Sequence, residues 1–488
     1  MPDSKSSSPK GIAADIVRRL HGAGFSAFWV GGCVRDFLLG REPGDYDIAT
    51  SALPEQIEKL FKRTVAVGRK FGVMVVVENG RPFQVATFRA EADYRDGRHP
   101  EQVTFGDAEA DAQRRDFTVN GLFYDPVAEK LHDWVGGEKD LRAKIIRTIG
   151  SPGERFAEDH LRLLRAVRFA AQLGFEIEPQ TFAAVRTLAP KIELISAERI
   201  RDELIKLFSP RENVSLSSPK GGEGRGEETD NFKTQPPSLR PSPRLGGARE
   251  KMMSRAARGL VLLRDSGLLP GVLPELVATI VCEQSPDFHP EGTVFEHIRL
   301  MLEKLPSSAH PSLPWMVILH DIAKPATAER DPVTGKIHFY GHEKVGAALA
   351  ERILTRLRFP KKQIEEIVAC VRQHMQFKDV KQMRKATLRR LLLRKTFPLE
   401  LELHRLDCLG SHGDLEHYEF LVAQAAELEK QPAIRPPLLT GNDLIALGVK
   451  PGPAMGALLA EIREKQLQDE LKTPRQARAW ARKQLAHG

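Results

Sequence analysis

Strand-forming runs are confined to about the first 150 of this chain's 488 residues, and that confinement limits the fold more than any other feature. Phe25–Val30 (FSAFWV) is a short apolar run that leads straight into Gly31-Gly32. Val73–Val77 and Phe83–Phe88 follow with β-branched or alternating content. Helix-like segments at Ile12–His21 and Pro54–Phe61 interleave with these runs. From Glu158 onward strand signals are scarce, and apolar residues recur at three- and four-residue spacing, as at Leu161, Leu164, Val167 and Phe169. The pattern predicts a small α/β head on a long all-helical remainder.

At about 100–200 residues per domain, a chain of this length holds two to four domains. The expected division is a head at 1–150, an all-α neck at 151–210, a helical body at 252–430 and a helical tail at 431–488. Between neck and body, Arg211 to Lys251 is rich in Ser, Pro, Gly and charge and nearly devoid of large apolar residues. Such a segment cannot bury enough surface to offset its ordering entropy, so it reads as a disordered insertion or a flexible interdomain linker. The formal net charge of +8 suits a polyanionic partner without identifying one. The four cysteines (Cys33, Cys282, Cys370 and Cys408) form no CxxC pair, which argues against a disulfide framework and for a reducing compartment. No apolar run approaches the roughly 20 residues that span a bilayer. The polar N-terminus lacks the apolar stretch of a secretory signal. A cytoplasmic protein with no membrane partner is the expectation, and no protein partner is evident.

The chemistry concentrates at Trp29 to Thr50, WVGGCVRDFLLGREPGDYDIAT. Consecutive glycines after a strand let the backbone approach phosphate oxygens, and a helix beginning there aims its free N–H groups at the same anion. Arg35 lies one turn into that helix. Alone, Gly31-Gly32 is more often a turn. Asp45-x-Asp47 adds a second element, because residues two apart on a strand point to one face. Two carboxylates there repel each other unless a cation lies between them, and Mg²⁺ takes such oxygen ligands together with substrate phosphates. An Asp-rich turn is the alternative for this pair taken in isolation.

GGxVRD followed about ten residues later by DxDIAT resembles the active-site motif of polymerase-β-like nucleotidyltransferases. More narrowly it resembles the class II family of CCA-adding enzymes and poly(A) polymerases, in its HD-domain-containing bacterial branch. Arg114-Arg115-Asp116-Phe117-Thr118-Val119-Asn120-Gly121 matches the family's RRDFTxNA segment, with Gly121 for the usual Ala. The resemblance implies that Arg114 or Arg115 contacts the nucleotide triphosphate, and that Glu91 to Val103 is a flexible loop. Gln84 stands where many relatives carry a carboxylate, so the catalytic reading rests on Asp45 and Asp47.

Glu158 to Phe169 resembles the family's EDxxRxxRxxRF motif, with His160 for the usual proline. Asp159, Arg162, Arg165 and Arg168 are three apart and are expected to form a drifting stripe on one helix face. Asp159 would accept and Arg162 donate to the pairing edges of CTP and ATP, replacing a nucleic-acid template, with Arg165 and Arg168 nearer phosphates. A solvent-exposed, salt-bridged face is the alternative. Ala197 to Leu204 matches the family's next motif and is assigned to bracing the helices.

Farther on, Phe295-Glu296-His297, Leu319-His320-Asp321-Ile322-Ala323-Lys324, Gly341-His342-Glu343 and Leu406-Asp407-Cys408 resemble the HD phosphohydrolase domain, and His374 adds to the set. The resemblance implies a second divalent metal (Mg, Mn or Ni) on His297, His320, Asp321, His342 and Asp407, all expected on helices. Whether such a domain is an active phosphohydrolase or an RNA-binding scaffold stays open. Leu438 to Ala481 resembles the family's tail module, with Thr440-Gly441-Asn442-Asp443 as a helix cap and basic residues suited to a tRNA backbone.

The whole reading is a polymerase-β-like α/β head, an all-α neck, an HD-like body and a tail. The implied activity is addition of C, C and A to tRNA 3′ ends from CTP and ATP with Mg²⁺. A poly(A) polymerase or a CC- or A-only enzyme is the near alternative. A metal-dependent phosphohydrolase with a nucleotide-binding head is the distant one.

Overall fold

In the computed structural model, which describes residues 8–90, 104–209, 253–286, 289–430 and 436–487, the chain begins with helix Pro9–Gly22. Ser8 caps it by accepting from the Gly11 amide at 3.1 Å, and Pro9 fills the first helical position, where a missing N–H costs nothing. Ile12, Ala13, Ile16, Val17 and Leu20 recur at helical spacing and are buried. The sheet beneath contains β1 (Ala27–Val30), β2 (Ile48–Thr50), β3 (Thr64–Gly68), β4 (Val73–Glu78), β5 (Arg81–Thr87), β6 (Phe123–Asp125) and β7 (Lys130–His132). Their spatial order is β3-β4-β5-β2-β1-β6-β7, with β2 and β5 parallel and the other pairs antiparallel.

β1 is buried on both faces, which explains its unbroken apolar sequence. Ala27 and Trp29 enter the main core, while Phe28 and Val30 pack with Phe88 and Phe123 in a smaller one. Everything after the head is predominantly helical, as the spacing predicts. One continuous cluster of buried apolar residues passes from Ile12 in the first helix through Leu164, Leu204, Leu260 and Phe295 to Leu406. The tail helices Gly441–Ile445, Pro453–Leu467 and Pro474–His487 build a separate core around Leu444, Met455 and Ile462. The expected cap is present there: Thr440 accepts from the Asp443 amide and Asp443 accepts from the Thr440 amide.

Two differences from the sequence expectation bear on the site. The helix expected from Glu158 onward is broken: one helix ends at Glu158 and the next spans Leu161–Leu173, leaving Asp159 extended between them. The Asp45-x-Asp47 pair lies immediately before β2, in extended chain whose Asp47 carbonyl still accepts from the Val30 amide at 3.0 Å. The expected loop Glu91–Val103 and the segment Arg211–Lys251 fall outside the described residues.

Helices Ala197–Phe208 and Arg255–Asp265, on either side of that segment, pack directly on each other. Gly259 makes this possible, because a Cβ there would lie 2.7 Å from Leu207 Cδ1 and 2.8 Å from its Cγ. Leu207 is fully buried and has no room to yield. Gly259→Val is therefore expected to destabilise the protein by about 1–3 kcal/mol through overpacking, read as a lower denaturant midpoint. An unchanged midpoint contradicts this packing.

Candidate functional site

A cleft of about 600 Å³ opens where the head sheet meets the neck helices. Its walls bring together Gly31, Gly32, Arg35, Asp45, Asp47, Arg114, Arg115, Asp159, Arg162, Arg165 and Arg168, the complete set of head and neck residues expected to bind or react. Tyr46, between the aspartates, is buried against Trp29 at a ring separation of 4.8 Å. Burial of this tyrosine turns both neighbours outward to the cleft, as strand alternation requires. Gln84 also lines the cleft, one residue before Val85, which pairs with Ile48 across β2 and β5. The neighbour of Asp47 on that strand is thus an amide.

Gly31 has φ +74°, a conformation that favours glycine, and a Cβ there would lie 3.0 Å from Arg115 Nη1. It leads into helix Gly32–Leu38, which carries Arg35. Arg35 donates to Asn120 Oδ1 at 2.7 Å and pairs with Asp36 at 2.9 Å. Arg114 and Arg115 share one carboxylate, Asp111, which lies within helix Ala108–Gln113 and is 2% exposed. Burial alone would raise Asp111, but the two guanidinium groups outweigh it and hold the carboxyl below its ordinary range. Gly121, which replaces the family's alanine, has its reason in packing: a Cβ there would lie 2.7 Å from Val135 Cγ2.

The arrangement around the neck motif corrects the expectation of a single charged helix face. Asp159 precedes the helix and accepts from the Leu161 amide at 3.0 Å, while Arg199 donates to its other oxygen at 2.6 Å. Arg162 pairs with Glu158 and donates to the Arg155 carbonyl at 2.9 Å. Asp159 and Arg162 therefore reach the same cleft from separate supports. Arg165 and Arg168 line it too, yet their guanidinium groups are paired with Asp116 and Glu203 respectively. Burial would raise the Asp116 carboxyl, but Arg165 and Asn120 overcome it and hold Asp116 at about 2. Arg199 and Glu203 both belong to the Ala197–Leu204 motif, so its bracing contacts are direct. Asp111, Asp116 and Asn120 are site residues that sequence reading did not single out. Asp111 was detectable, standing three and four positions before the arginine pair.

The second constellation assembles from helices Val294–Glu303, Leu313–Leu319, His342–Arg356 and Phe397–Gly410. His320 and Asp321 lie just past the end of theirs rather than on it. His297, His320, Asp321, His342 and His374 are all buried. His320, His342 and His374 each place Nδ1 against the backbone carbonyl of the residue three before, at 2.9, 2.7 and 2.7 Å. A carbonyl only accepts, so each Nδ1 carries a proton and each ring turns its Nε2 inward. The His320 Nε2 stands 3.2 Å from Asp321 Oδ2 without a hydrogen-bond partner. His297 Nε2, also without one, stands 3.0 Å from Asp407 Oδ1. The Nε2 atoms of His342 and His374 lie 3.1 Å apart, and 3.3 and 3.7 Å from Asp321 Oδ1. Electron pairs converging in a buried site repel unless an extra proton or a cation separates them. His297–His320–Asp321 and Asp321–His342–His374 each fit a divalent cation.

Comparison with known proteins agrees with this anatomy. Residues 27–147 match the family described as "Poly A polymerase head domain", 174–212 match "Probable RNA and SrmB- binding site of polymerase A", and 293–408 match "HD domain". Fold and site thus define a polymerase-type nucleotidyltransferase head joined to a helical, HD-bearing body. The segments that match are those of a poly(A) polymerase head, its RNA-binding neck and an HD domain, and the relatives and solved structures similar to the chain are CCA-adding enzymes.

Among relatives, a CCA-adding enzyme of Staphylococcus aureus (strain bovine RF122 / ET3-1) is 48% identical over 197 residues, 40% of this chain and 49% of that one. One from Enterococcus faecalis (strain ATCC 700802 / V583) is 46% identical over 197 residues, 40% of this chain and 48% of that one. The chain spans about half the length of the curated relatives it matches. The Bacillus stearothermophilus CCA-adding enzyme in complex with CTP superposes with a TM-score of 0.64 at 25% identity, covering 99% of both chains. The Thermotoga maritima CCA-adding enzyme complexed with tRNA shares the fold at a TM-score of 0.54 and 18% identity, over 98% of this chain and 96% of that one. Among the described residues no helix is long and apolar enough to cross a membrane.

One measurable consequence follows from Asp47. Burial raises its carboxyl and the Asp45 charge raises it further, to about 6, against the partial relief of Arg115. An unfolded Asp ionises near 4, so stability conferred by the protonated group is present below that pH and is lost as pH rises through about 6. Divalent ions require the carboxylate. Mn²⁺ affinity at the cleft is therefore expected to weaken below pH about 6, by up to about tenfold per unit. Titrations giving the same affinity at pH about 5 and about 7.5 contradict the shift.

Proposed function

We propose that this chain adds C, C and A to tRNA 3′ ends from CTP and ATP, releasing pyrophosphate, without a nucleic-acid template. The observation that carries this reading is the convergence on one cleft of a glycine cradle, a carboxylate pair and an Asp–Arg pair. The names of the relatives described above, which are CCA-adding enzymes, support the choice of substrate. Asp45 and Asp47 are the catalytic carboxylates and would hold Mg²⁺, whose positive charge stabilises the transition state for attack of a 3′-hydroxyl on an α-phosphate. Gly31 and Gly32 let the backbone approach the triphosphate. Arg35, Arg114 and Arg115 face it, with Arg165 and Arg168 completing the positive wall.

Asp159 accepts from an exocyclic amino group and Arg162 donates to a ring nitrogen, features that cytosine and adenine both present. Arg199 holds Asp159 in place for this, and Glu158 holds Arg162. The boundaries follow: a catalytic head at 1–150, a nucleotide-reading neck at 151–210, a body at 252–430 and a tRNA-binding tail at 431–488. The protein is assigned to the cytoplasm.

Incubation with tRNA lacking its 3′ end and each NTP separately tests the reading. Incorporation of C and then A is expected. Long A tracts on any RNA would identify a poly(A) polymerase instead, and addition of C alone or A alone a partial enzyme. Asp45→Ala is expected to abolish addition. Asp159→Ala is expected to blur the choice between CTP and ATP while leaving turnover measurable, and unaltered selectivity would remove the base-reading role.

A second activity is favoured by the inward lone pairs of the histidine centre. This reading is a metal-dependent phosphohydrolase on Mg²⁺, Mn²⁺ or Ni²⁺. His297, His320, Asp321, His342 and Asp407 are the ligands, with His374 alongside. Asp321→Ala should eliminate both metal binding at this centre and turnover of a phosphodiester substrate. A protein that binds no metal there and turns over none has the scaffold role instead.

A further inference from the structure

Three of the four inward-facing histidines take their orientation from a backbone carbonyl, and His297 does not. The reason is positional. His320 and His374 sit at the C-terminal ends of helices, where carbonyls remain available, and His342 opens its helix within reach of the Phe339 carbonyl that precedes it. His297 lies within helix Val294–Glu303, whose carbonyls are engaged along the helix axis. A side chain must do the same work, and Glu291 Oε1 stands 2.6 Å from His297 Nδ1.

We propose that Glu291 is the positioning residue of the histidine centre, fixing His297 in the tautomer that turns its Nε2 lone pair toward a bound divalent cation. This rests on the metal-binding reading above. The Glu291 carboxylate accepts from His297 Nδ1 and also from His289 Nδ1 at 2.9 Å. His289 Nε2 then faces the Lys324 ammonium at 3.5 Å, and that ammonium lies 2.7 Å from Asp321 Oδ2 and 2.6 Å from Gln284 Oε1. Glu291 thereby joins the support of His297 to the support of Asp321, the carboxylate shared by both candidate cation positions.

The alternative is that His289, Glu291 and His297 themselves hold an ion. That arrangement needs both Nδ1 atoms stripped of their protons. It also makes His297 a ligand on both nitrogens, as an imidazolate. With Glu291 at 2.6 Å from Nδ1, a ring that keeps its proton on that nitrogen satisfies Glu291 and leaves Nε2 for a cation at the centre. A carboxylate partner on that proton also makes the ring a stronger ligand than a carbonyl partner does.

The test is Co²⁺ binding to the full-length protein, followed by the visible absorption of the bound ion and by competition with Asp321→Ala to locate the site. Glu291→Gln keeps shape and an acceptor but removes the charge, whereas Glu291→Met removes the acceptor. Affinity is expected to fall about 10-fold in the first and toward 100-fold in the second. The absorption band is expected to change with the geometry. Wild-type affinity and spectrum in both variants would overturn the role of Glu291 while leaving the metal reading intact. Wild-type protein that binds no Co²⁺ at this centre would overturn the metal reading, and this inference with it. Histidine ¹⁵N spectra of the Zn²⁺-loaded wild type need no variant: a proton on His297 Nδ1 is expected, and a metal-bound Nδ1 would overturn the proposal.

Discussion

Charge cannot be buried without a partner, and the junction between head and neck is built on that constraint. Arg165 on the neck helix pairs with Asp116 of the head at 2.6 Å. Asp116 accepts from the Asn120 amide group at 3.1 Å, and Asn120 in turn accepts from Arg35 at 2.7 Å. On the far side Glu203 pairs with Arg168. A line of alternating charges and dipoles therefore leads from the helix that follows Gly31, through the neck motif, into the next helix. Removing one member strands a buried charge on its neighbour, so Arg35 beside the glycine pair and the arginine-bearing neck helix are held by one network.

The two chemical centres share a second constraint, the repulsion of like groups held close together. At the head it is Asp45 and Asp47, turned to one side because Tyr46 is buried on the other. In the body it is a set of imidazole lone pairs directed at Asp321 and Asp407 by protons fixed on the opposite nitrogens. Each group is costly to assemble in a folded chain without a cation. Part of that repulsion is relieved within the protein, by Arg115 near Asp47 and by Lys324 at 2.7 Å from Asp321.

Much of this was legible from local pattern. β1 announced itself by burial on both faces, and the helices by their apolar spacing. The cleft residues were legible because DxD, RRD and the arginine repeat are short strings whose members stay close in the fold. What failed was continuity. Three-residue spacing across Asp159 reads as one helix face, yet the chain breaks there, because the side-chain oxygen of Asp159 caps the following turn and Arg199 holds its other oxygen from a helix forty residues away. Glu291 escaped for a related reason. Its significance lies in the place of His297 inside a helix whose carbonyls are engaged, which no spacing records.

The sequence alone determined what each element is and which side chains carry charge, since propensity, alternation and the identity of a ligand atom are local properties. It placed the carboxylate pair after the glycine pair, and the arginines after both. Only the tertiary structure decided which charges are neutralised within the protein and which face the cleft. Arg165 and Arg168 look alike in the repeat as candidate phosphate ligands, but Asp116 and Glu203 reach them from distant segments. Partnership between buried charges is settled by which surfaces pack together, and packing is a property of the whole chain.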